Sequence, residues 1–263
     1  MDILRKSLAP ISDAAWEEIN EEAVVVLKSV LSARRFVDVE GPKGWAYEAV
    51  SLGRLDVPAN QKGSVKYGIN KVLPLVETRI PFELDIWELD NAARGAGDID
   101  LDPLDEAGRK IAEFEEDVIY NGFKQSAIEG IKKASGLKPV KFPERIEDLP
   151  NVVTECINKF IESSVEGPYT LVLSSDKWEK LMGHSNGYPL KRVVADLLKG
   201  KIIMAPSIKD SFMVSERGGD FKLTIGQDFS IGYESHDAKK VRLYFTESFT
   251  FQAFEPNAIV VFN

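Results

Sequence analysis

Helical and extended patterns follow one another along this chain, and their order restricts the possible folds. Apolar residues near a 3.6-residue period, such as Ile111 and Phe114, predict a long helix from Leu104 to about Ser135. Before it, apolar residues such as Phe82 and Leu84 alternate with charged ones, as in extended strands, and such segments return near the C-terminal end. Helices interleaved with strands in the middle and strands at both ends predict an α+β fold.

Capping residues and stop signals set the bounds of the shorter elements. Ser12 or Asp13 is a suitable N-cap for a first helix, and Gly200 is a suitable stop for the helix in YPLKRVVADLLKG. Continuous apolar or periodic runs define the remaining elements of the middle region. The predicted ranges are a helix from Ala14 to about Ala33, a helix from about Leu149 to Ser164, and a buried strand from Tyr169 to Leu173.

The stretch VSERGGDFKLTIGQDFSIGYE raises the question of an active site, because Ser215 lies close to charged residues. Two apolar segments flank its Gly218–Gly219 pair, and glycine pairs supply the positive φ values that a tight turn needs. No histidine lies near Ser215 in the sequence to activate it. We therefore interpret this stretch as a β-hairpin.

Composition excludes several classes of function. The formal net charge is −9, which disfavours nucleic acid as the main partner. The apolar runs AVVVL and AIVVF are too short to span a bilayer, and the N-terminal stretch lacks the apolar region of a secretory signal. Cys156 is the single cysteine, so an intramolecular disulfide is impossible and a reducing compartment is indicated. We expect a cytoplasmic protein that binds neither membranes nor nucleic acids.

Catalytic and metal-binding motifs are missing from the sequence. The two histidines, His184 and His236, are not in metal-ligand spacing, and the phosphate-binding and nucleophile motifs do not occur. The carboxylates of AEFEEDVIY lie in a helical pattern, and we expect them to form a solvated helix face. The sequence therefore predicts a protein that is not an enzyme and has no metal site. The carboxylates concerned are Glu113, Glu115, Glu116 and Asp117.

Characteristic stretches are spread over essentially the whole chain. They are SERGGDFKLTIGQDFSIGYE, RRFVDVEGPKGWAYEA, LPLVETRIPFELDIWELDNAARG, AEFEEDVIYNG, GPYTLVLSSDKW and ESFTFQAFEPNAIVVF. These stretches resemble the family 1 encapsulins, the nanocompartment shell proteins that are also known as the linocin-type bacteriocin family. The resemblance implies the tailed-phage major capsid fold of the Hong Kong 97 type, with a P-domain, an A-domain and an E-loop.

The resemblance also divides the chain into parts. Residues 1–47 hold the N-terminal helix and the start of the P-domain, and residues 48–76 form the E-loop. Residues 77–145 form the P-domain with its spine helix, residues 146–229 the A-domain, and residues 230–263 the C-terminal P-domain strands. The Gly- and Lys-rich E-loop sequence LDVPANQKGSVKYG cannot bury much apolar surface of its own, which fits either a flexible surface loop or a loop that lies on a neighbouring subunit. The resemblance favours the second.

Encapsulins hold a C-terminal targeting peptide of their cargo protein on the luminal face. The resemblance assigns this role to Leu27, Leu31, Arg34, Asp38 and Ile231. The first helix is apolar over most of its circumference, which fits either a buried helix or a groove for an apolar peptide. In the peptide-binding case, the aliphatic residues would supply affinity, and Arg34 and Asp38 would set the register.

Two further sites follow from the resemblance. The loop LMGHSNGYPLK would line the pore on the five-fold axis, and His184 would change the charge of that pore between about pH 5 and 8. No cofactor is certain, but some encapsulins stack a flavin (FMN) on a tryptophan that matches Trp87, with Arg79 pairing with the phosphate. The alternative is that Trp87 is a partly buried aromatic residue on a strand edge. The pore-lining residues are His184, Ser185, Asn186 and Gly187.

The resemblance implies a self-assembling icosahedral shell, and the short chain predicts the smallest one, of about 60 subunits. The cargo would be a ferritin-like protein or a dye-decolorising peroxidase, which implies a role in iron storage or in protection from oxidative stress. Two alternatives stay open at this point: a phage-type major capsid protein, and a bacteriocin or protease of the linocin type.

Overall fold

A computed structural model describes residues 3–186 and 188–263 of the chain. The first helix begins as predicted, with the Ser12 side chain accepting a hydrogen bond of 3.3 Å from the amide of Ala15, but it ends at Val30. No helix within the described ranges is long and apolar enough to cross a membrane. The helices are α1 (Asp13–Val30), α2 (Ile86–Ala93), α3 (Asp102–Asn121), α4 (Gly130–Ala134), α5 (Leu149–Glu162), α6 (Ser175–Gly183) and α7 (Leu190–Leu198).

The strands form two main sheets and two short two-stranded ones. Their bounds are β1 (Asp38–Glu40), β2 (Ala49–Asp56), β3 (Ile69–Pro74), β4 (Val76–Asp85), β5 (Tyr169–Leu173), β6 (Ser185–Asn186), β7 (Tyr188–Pro189), β8 (Ile202–Met204), β9 (Ser211–Ser215), β10 (Phe221–Ile225), β11 (Ser230–His236), β12 (Lys240–Ala253) and β13 (Ile259–Phe262). The mixture of helices and strands confirms the predicted α+β class, and β5 has the bounds that the sequence predicts.

The long strand β12 organises the first main sheet. It pairs antiparallel with β4 along one edge and with β10 and then β11 along the other. The short strand β1 adds to β10 in parallel. The second main sheet has the order β13-β9-β5-β8, in which β5 and β8 run parallel. The apolar sides of α1 and α3 pack against the first sheet in one core cluster, and α5 and α7 belong to a second cluster with the other sheet.

The predicted hairpin at Gly218–Gly219 is wrong. Strand β9 pairs with β5 and β13, whereas β10 pairs with β1 and β12, so the turn connects the two main sheets. Both glycines have positive φ values, 86° and 81°, as the turn chemistry predicts. Arg217 donates hydrogen bonds to Asp220 within the turn, which holds it closed without pairing of the strands.

The long helix predicted from Leu104 to Ser135 is also interrupted. Helix α3 ends at Asn121, and Gly122 follows with a φ of 87°. Phe123 and Ile128 then exchange two backbone hydrogen bonds, of 2.9 and 3.1 Å, and the short helix α4 begins only at Gly130. A Cβ atom at Gly122 would lie 2.6 Å from the carbonyl oxygen of Glu129. The two glycines therefore allow the chain to turn tightly where apolar periodicity alone predicts more helix.

Strands β2 and β3 form a separate antiparallel ribbon, which we call the arm (residues 49–74). Nearly every residue of the arm from Ser51 onward is exposed, and Leu73 is buried near its base. The loop at its tip is ordered internally, since the Gln61 side chain bonds to both the carbonyl oxygen and the amide of Tyr67, at 2.8 and 2.7 Å. The arm thus has defined shape but little cover from its own chain.

Candidate functional site

The most developed polar site lies where α1, α3 and the first main sheet meet. Arg34, in the turn after α1, contacts three carboxylates from distant parts of the chain, and we call these four residues the Arg34 cluster. Its Nε donates to Oε1 of Glu115 on α3 at 2.9 Å. Its Nη2 donates to Oε1 of Glu247 on β12 at 2.5 Å, and its Nη1 donates to Oδ1 of Asp228 at 2.9 Å. One side chain therefore joins three separate elements.

Burial makes these contacts strong. The side chains of Glu115 and Glu247 are fully buried, and that of Arg34 is 19% exposed. Desolvation, followed by the nearby charge of Glu115, raises the pKa of Glu247 well above its usual range. Burial opposes the charge of Arg34, but the hydrogen bonds and charge of Glu115 outweigh this effect and raise its pKa. Most of the donors of the guanidinium are thus used within its own chain.

A second buried carboxylate fixes the start of the same turn. Glu116 accepts hydrogen bonds from the amides of Ser32 and Ala33, both at 2.9 Å, and from the Ser32 hydroxyl. The hydroxyl groups of Ser32 and Tyr120 lie 2.8 Å apart. Burial is the largest effect on Glu116 and raises its pKa to about 7. Adjacent residues of α3 therefore hold the segment that carries Arg34.

The structure brings most of the predicted peptide-binding residues together. Leu27, Leu31 and Ile231 belong to one core cluster, and each is less than a tenth exposed. Arg34 borders this cluster, because its Cζ lies 4.8 Å from the ring centre of Phe229, which packs against it. Only a small part of the surface of these three apolar residues is accessible to a peptide. Their role in peptide binding stays a prediction.

Asp38 does not lie in this cluster and makes a structural contact elsewhere. It lies on β1, and its Oδ2 accepts a hydrogen bond of 2.6 Å from the amide of Gly219 in the turn between the two sheets. The same carboxylate therefore fixes one end of β1 next to β10. A role in setting the register of a bound peptide would add to this contact.

The predicted pore loop joins α6 and α7, as the sequence indicates. His184 follows α6, is mostly buried, and places its Nδ1 3.8 Å from Oε1 of Glu147. Ser185 and Asn186 form β6, and Gly187 lies outside the described residues. The assignment of these residues to a pore stays a prediction.

The two residues predicted to hold flavin lie on different elements. Trp87 is strongly exposed on α2 rather than on a strand edge, because Asp85 caps this helix through the amides of Trp87 and Glu88. Arg79 on β4 stacks over the ring of Tyr244, with its Cζ 4.2 Å from the ring centre. An exposed indole and a half-exposed guanidinium are chemically suited to a flavin and its phosphate. The assignment of Trp87 and Arg79 to a flavin site stays a prediction.

A groove of about 560 Å³ runs between β4 and helix α3. Its base is apolar, and the cations Arg79 and Lys110 lie along it. Trp87 is not among its lining residues, so this groove does not unite the two predicted flavin residues. The lining residues are Val76, Glu77, Thr78, Arg79, Ile80, Lys110, Ile111, Phe114 and Phe123.

The comparisons with known proteins identify the family. The family model described as "Encapsulating protein for peroxidase" matches residues 1–250. The chain belongs to this family. It is 42% identical over 262 residues to the type 1 encapsulin shell protein of Mycolicibacterium paratuberculosis, covering 99% of this chain and 98% of that one. It is also 42% identical to the type 1 encapsulin shell protein of Rhodospirillum rubrum, with 99% and 96% of the two chains covered.

Solved structures place this encapsulin chain in the tailed-phage capsid fold. The virus-like particle from Pyrococcus furiosus matches with a TM-score of 0.67 at 19% identity, covering 94% of this chain and 98% of that one. The capsid of the cyanophage P-SCSP1u matches with a TM-score of 0.55 at 9% identity, covering 89% and 88%. These likenesses confirm the predicted capsid fold.

Sequence reasoning missed the carboxylates that complete the polar site of this encapsulin chain. The solvated-face interpretation is correct for Glu113 and Asp117, which are exposed, and wrong for Glu115 and Glu116, which are buried. The spacing contained a signal, because Glu115 follows the buried Ile111 by four residues and therefore lies on the same side of α3. Glu247, in the middle of a buried strand, carried a similar signal.

Proposed function

We propose that this chain is the shell subunit of an encapsulin nanocompartment, in which about 60 copies form a closed icosahedral particle around a cargo enzyme. Membership of the encapsulin family supports a structural rather than a catalytic role. The capsid fold supports assembly into a closed particle. We place the particle in the cytoplasm.

The exposed arm is the observation that carries this proposal. Contrary to the expectation from its Gly- and Lys-rich sequence, the arm presents apolar side chains to solvent on both strands and at its tip, and Ile69 on β3 is 62% exposed. A two-stranded ribbon is only marginally stable alone, and burying each such side chain is worth about 1.5–3 kcal/mol. A second copy of the chain would supply the missing cover. The exposed apolar residues are Leu52, Leu55, Val57, Val65, Tyr67, Ile69 and Val72.

For the cargo, we propose a peroxidase of the dye-decolorising type or a ferritin-like protein with a C-terminal targeting peptide. The family description names a peroxidase as the enclosed protein. The peptide would lie on the outer edges of Leu27, Leu31 and Ile231, next to Arg34. A peroxidase would give the particle a role in oxidative stress, and a ferritin-like protein a role in iron storage.

A phage-type capsid protein is the alternative with the same fold. Two observations favour the encapsulin shell. The matching curated shell proteins reach 42% identity over nearly the whole chain, whereas the phage capsid structure named above is 9% identical and supports only the fold. The two functions differ in contents: protein in a nanocompartment and DNA in a phage capsid.

The test is to purify the protein from its native host and image it by electron microscopy, with native mass measurement of the particles. We expect closed particles of about 60 subunits that contain an enzyme with a defined C-terminal tail. Ile69→Asp should abolish assembly while leaving a folded chain, because the new charge would be buried against a neighbour. The conservative control Ile69→Leu should assemble normally.

Particles filled with DNA would favour the capsid alternative. A stable monomer or dimer of the native chain at neutral pH would contradict the shell proposal. Normal particles from Ile69→Asp would show that the arm is not the assembly contact, even if the shell itself exists.

A further inference from the structure

The two buried carboxylates of the Arg34 cluster are not equivalent. Glu115 receives a forked set of hydrogen bonds from Arg34, with Nε at 2.9 and 3.1 Å from its two oxygens and Nη2 at 2.5 Å from Oε2. Glu247 receives only the bond from Nη2 to its Oε1. Its Oε2 is fully buried, and no hydrogen-bond donor in the described part of the chain reaches it. Forked hydrogen bonds of this kind are typical of an arginine and an ionised carboxylate, so we assign the negative charge of the pair to Glu115.

The charges around Glu247 do not balance if it is ionised. The groups that face it are Arg34 from the turn after α1, Glu115 from α3 and Asp228 from the loop before β11. The neighbouring strand β4 contributes the neutral hydroxyl of Thr78, 3.3 Å from the carbonyl oxygen of Glu247. One cation would then face three carboxylates, of which two are fully buried. An uncompensated buried charge is strongly disfavoured, and a group in that position normally becomes neutral instead.

We propose that Glu247 carries a proton on Oε2 at neutral pH, directed toward Glu115, and that Arg34, Glu115 and protonated Glu247 form a proton-dependent clasp. The proton provides the missing donor between the two carboxyl groups. The clasp connects the end of α1 with α3 and β12, while Asp228 links it to the segment that leads into β11. Losing the proton places two negative charges side by side and weakens this junction.

The direction of the pH effect follows from the raised pKa of Glu247. The carboxyl is ionised in the unfolded chain above its ordinary value of 4.5 but stays protonated in the folded chain. Its contribution to stability is therefore complete below about pH 4.5 and decreases as the pH rises toward the folded pKa. Within that interval, one retained proton changes the unfolding equilibrium constant about tenfold per pH unit. The clasp does not depend on the identity of the cargo.

Infrared spectroscopy of intact shells tests for the proton directly. A protonated carboxylic acid has a carbonyl stretch distinct from that of a carboxylate. We expect this band in the native protein at neutral pH, and a decrease of the band in Glu247→Gln, where an amide replaces the neutral acid. Glu113→Gln is the matched control, because Glu113 is exposed on the same helix as Glu115 and lies outside the Arg34 cluster, so its replacement should not change the band.

The thermal unfolding of the same shells across pH tests the clasp. Above about pH 4.5, the native protein should lose more stability with rising pH than Glu247→Gln does, so the difference between their midpoints should change in that direction. A native protein without the band, a band unaffected by Glu247→Gln, or equal pH profiles would each overturn the proposal. If Glu247→Gln forms no shells, labelling Glu116→Gln shells with carboxyl-¹³C glutamate decides, because Glu116 no longer contributes and a band at neutral pH that does not shift cannot come from a glutamic acid.

Discussion

Removing the Arg34 guanidinium should destabilise the chain far more than the loss of an ordinary surface arginine. Arg34→Ala leaves Glu115 fully buried without its cation, and Glu247 loses its only donor among the described residues. Breaking a buried pair by removing one partner costs about 3–5 kcal/mol. The contact with Asp228 adds little, because that side chain is 45% exposed and solvent screens the pair. We expect a cost of about 3 kcal/mol if Glu247 is protonated, since only one buried charge is then left unpaired.

The assay is the midpoint of thermal unfolding of the variant chain, together with its yield of soluble shells. Arg79→Ala is the matched control, because Arg79 is half exposed and its ion pair with Glu77 spans 3.9 Å. That variant should lose about 1 kcal/mol or less. Equal midpoints for the two variants would refute the structural role of Arg34. An Arg34→Ala shell that melts like the native one but captures less cargo would instead make Arg34 mainly a peptide contact.

Two further predictions concern the backbone and the single cysteine. Gly130→Ala should destabilise the fold by about 1–3 kcal/mol, because Gly130 has a φ of 65° and an added Cβ would overlap the backbone of Gly122. A denaturant titration measures the change in the free energy of unfolding. The control is Gly183→Ala, where nothing lies within 4 Å of the added Cβ. Cys156 should not react with thiol reagents at neutral pH in the native shell, since burial raises its pKa to about 12. Labelling followed by mass measurement checks the reactivity of this thiol. Rapid modification would contradict the prediction.

Elements governed by local signals could be predicted from the sequence. The N-cap at Ser12 and the apolar run Tyr169–Leu173 depend on neighbouring residues, and both are found as predicted. The end of α3 depends on a contact that local periodicity does not contain. Gly122 and Gly130 let two backbone segments approach each other, and this close approach ends a helix that apolar residues alone would extend.

The connection between β9 and β10 shows the same limit. A glycine pair between two apolar segments specifies a tight turn, and the positive φ values of Gly218 and Gly219 are as expected. It does not specify which strands pair. Strand β9 lies between β5 and β13, and β10 lies between β1 and β12, so long-range pairings replace the hairpin that the turn alone would suggest.

The polar site depends on residues that are far apart in the sequence. Arg34 and Glu115 are 81 residues apart, and Arg34 and Glu247 are 213 residues apart. A carboxylate in a helical pattern is usually exposed, and only the buried cation shows why Glu115 is not. Residue spacing indicates which side of α3 Glu115 occupies, but not the partner that makes its burial stable.

The same contacts limit what Arg34 can offer to a cargo peptide. A guanidinium has five N–H donors, of which Nε serves Glu115, Nη2 serves Glu115 and Glu247, and one of the two on Nη1 serves Asp228. In the described part of the chain no acceptor takes the second N–H of Nη1, on the side of the partly exposed Asp228, and a single hydrogen bond is worth about 1 kcal/mol. A peptide that binds beside Arg34 must therefore gain most of its affinity from apolar contacts. Since the ionised carboxylates of the cluster outnumber its cation, the cluster also disfavours an acidic peptide side chain at that point.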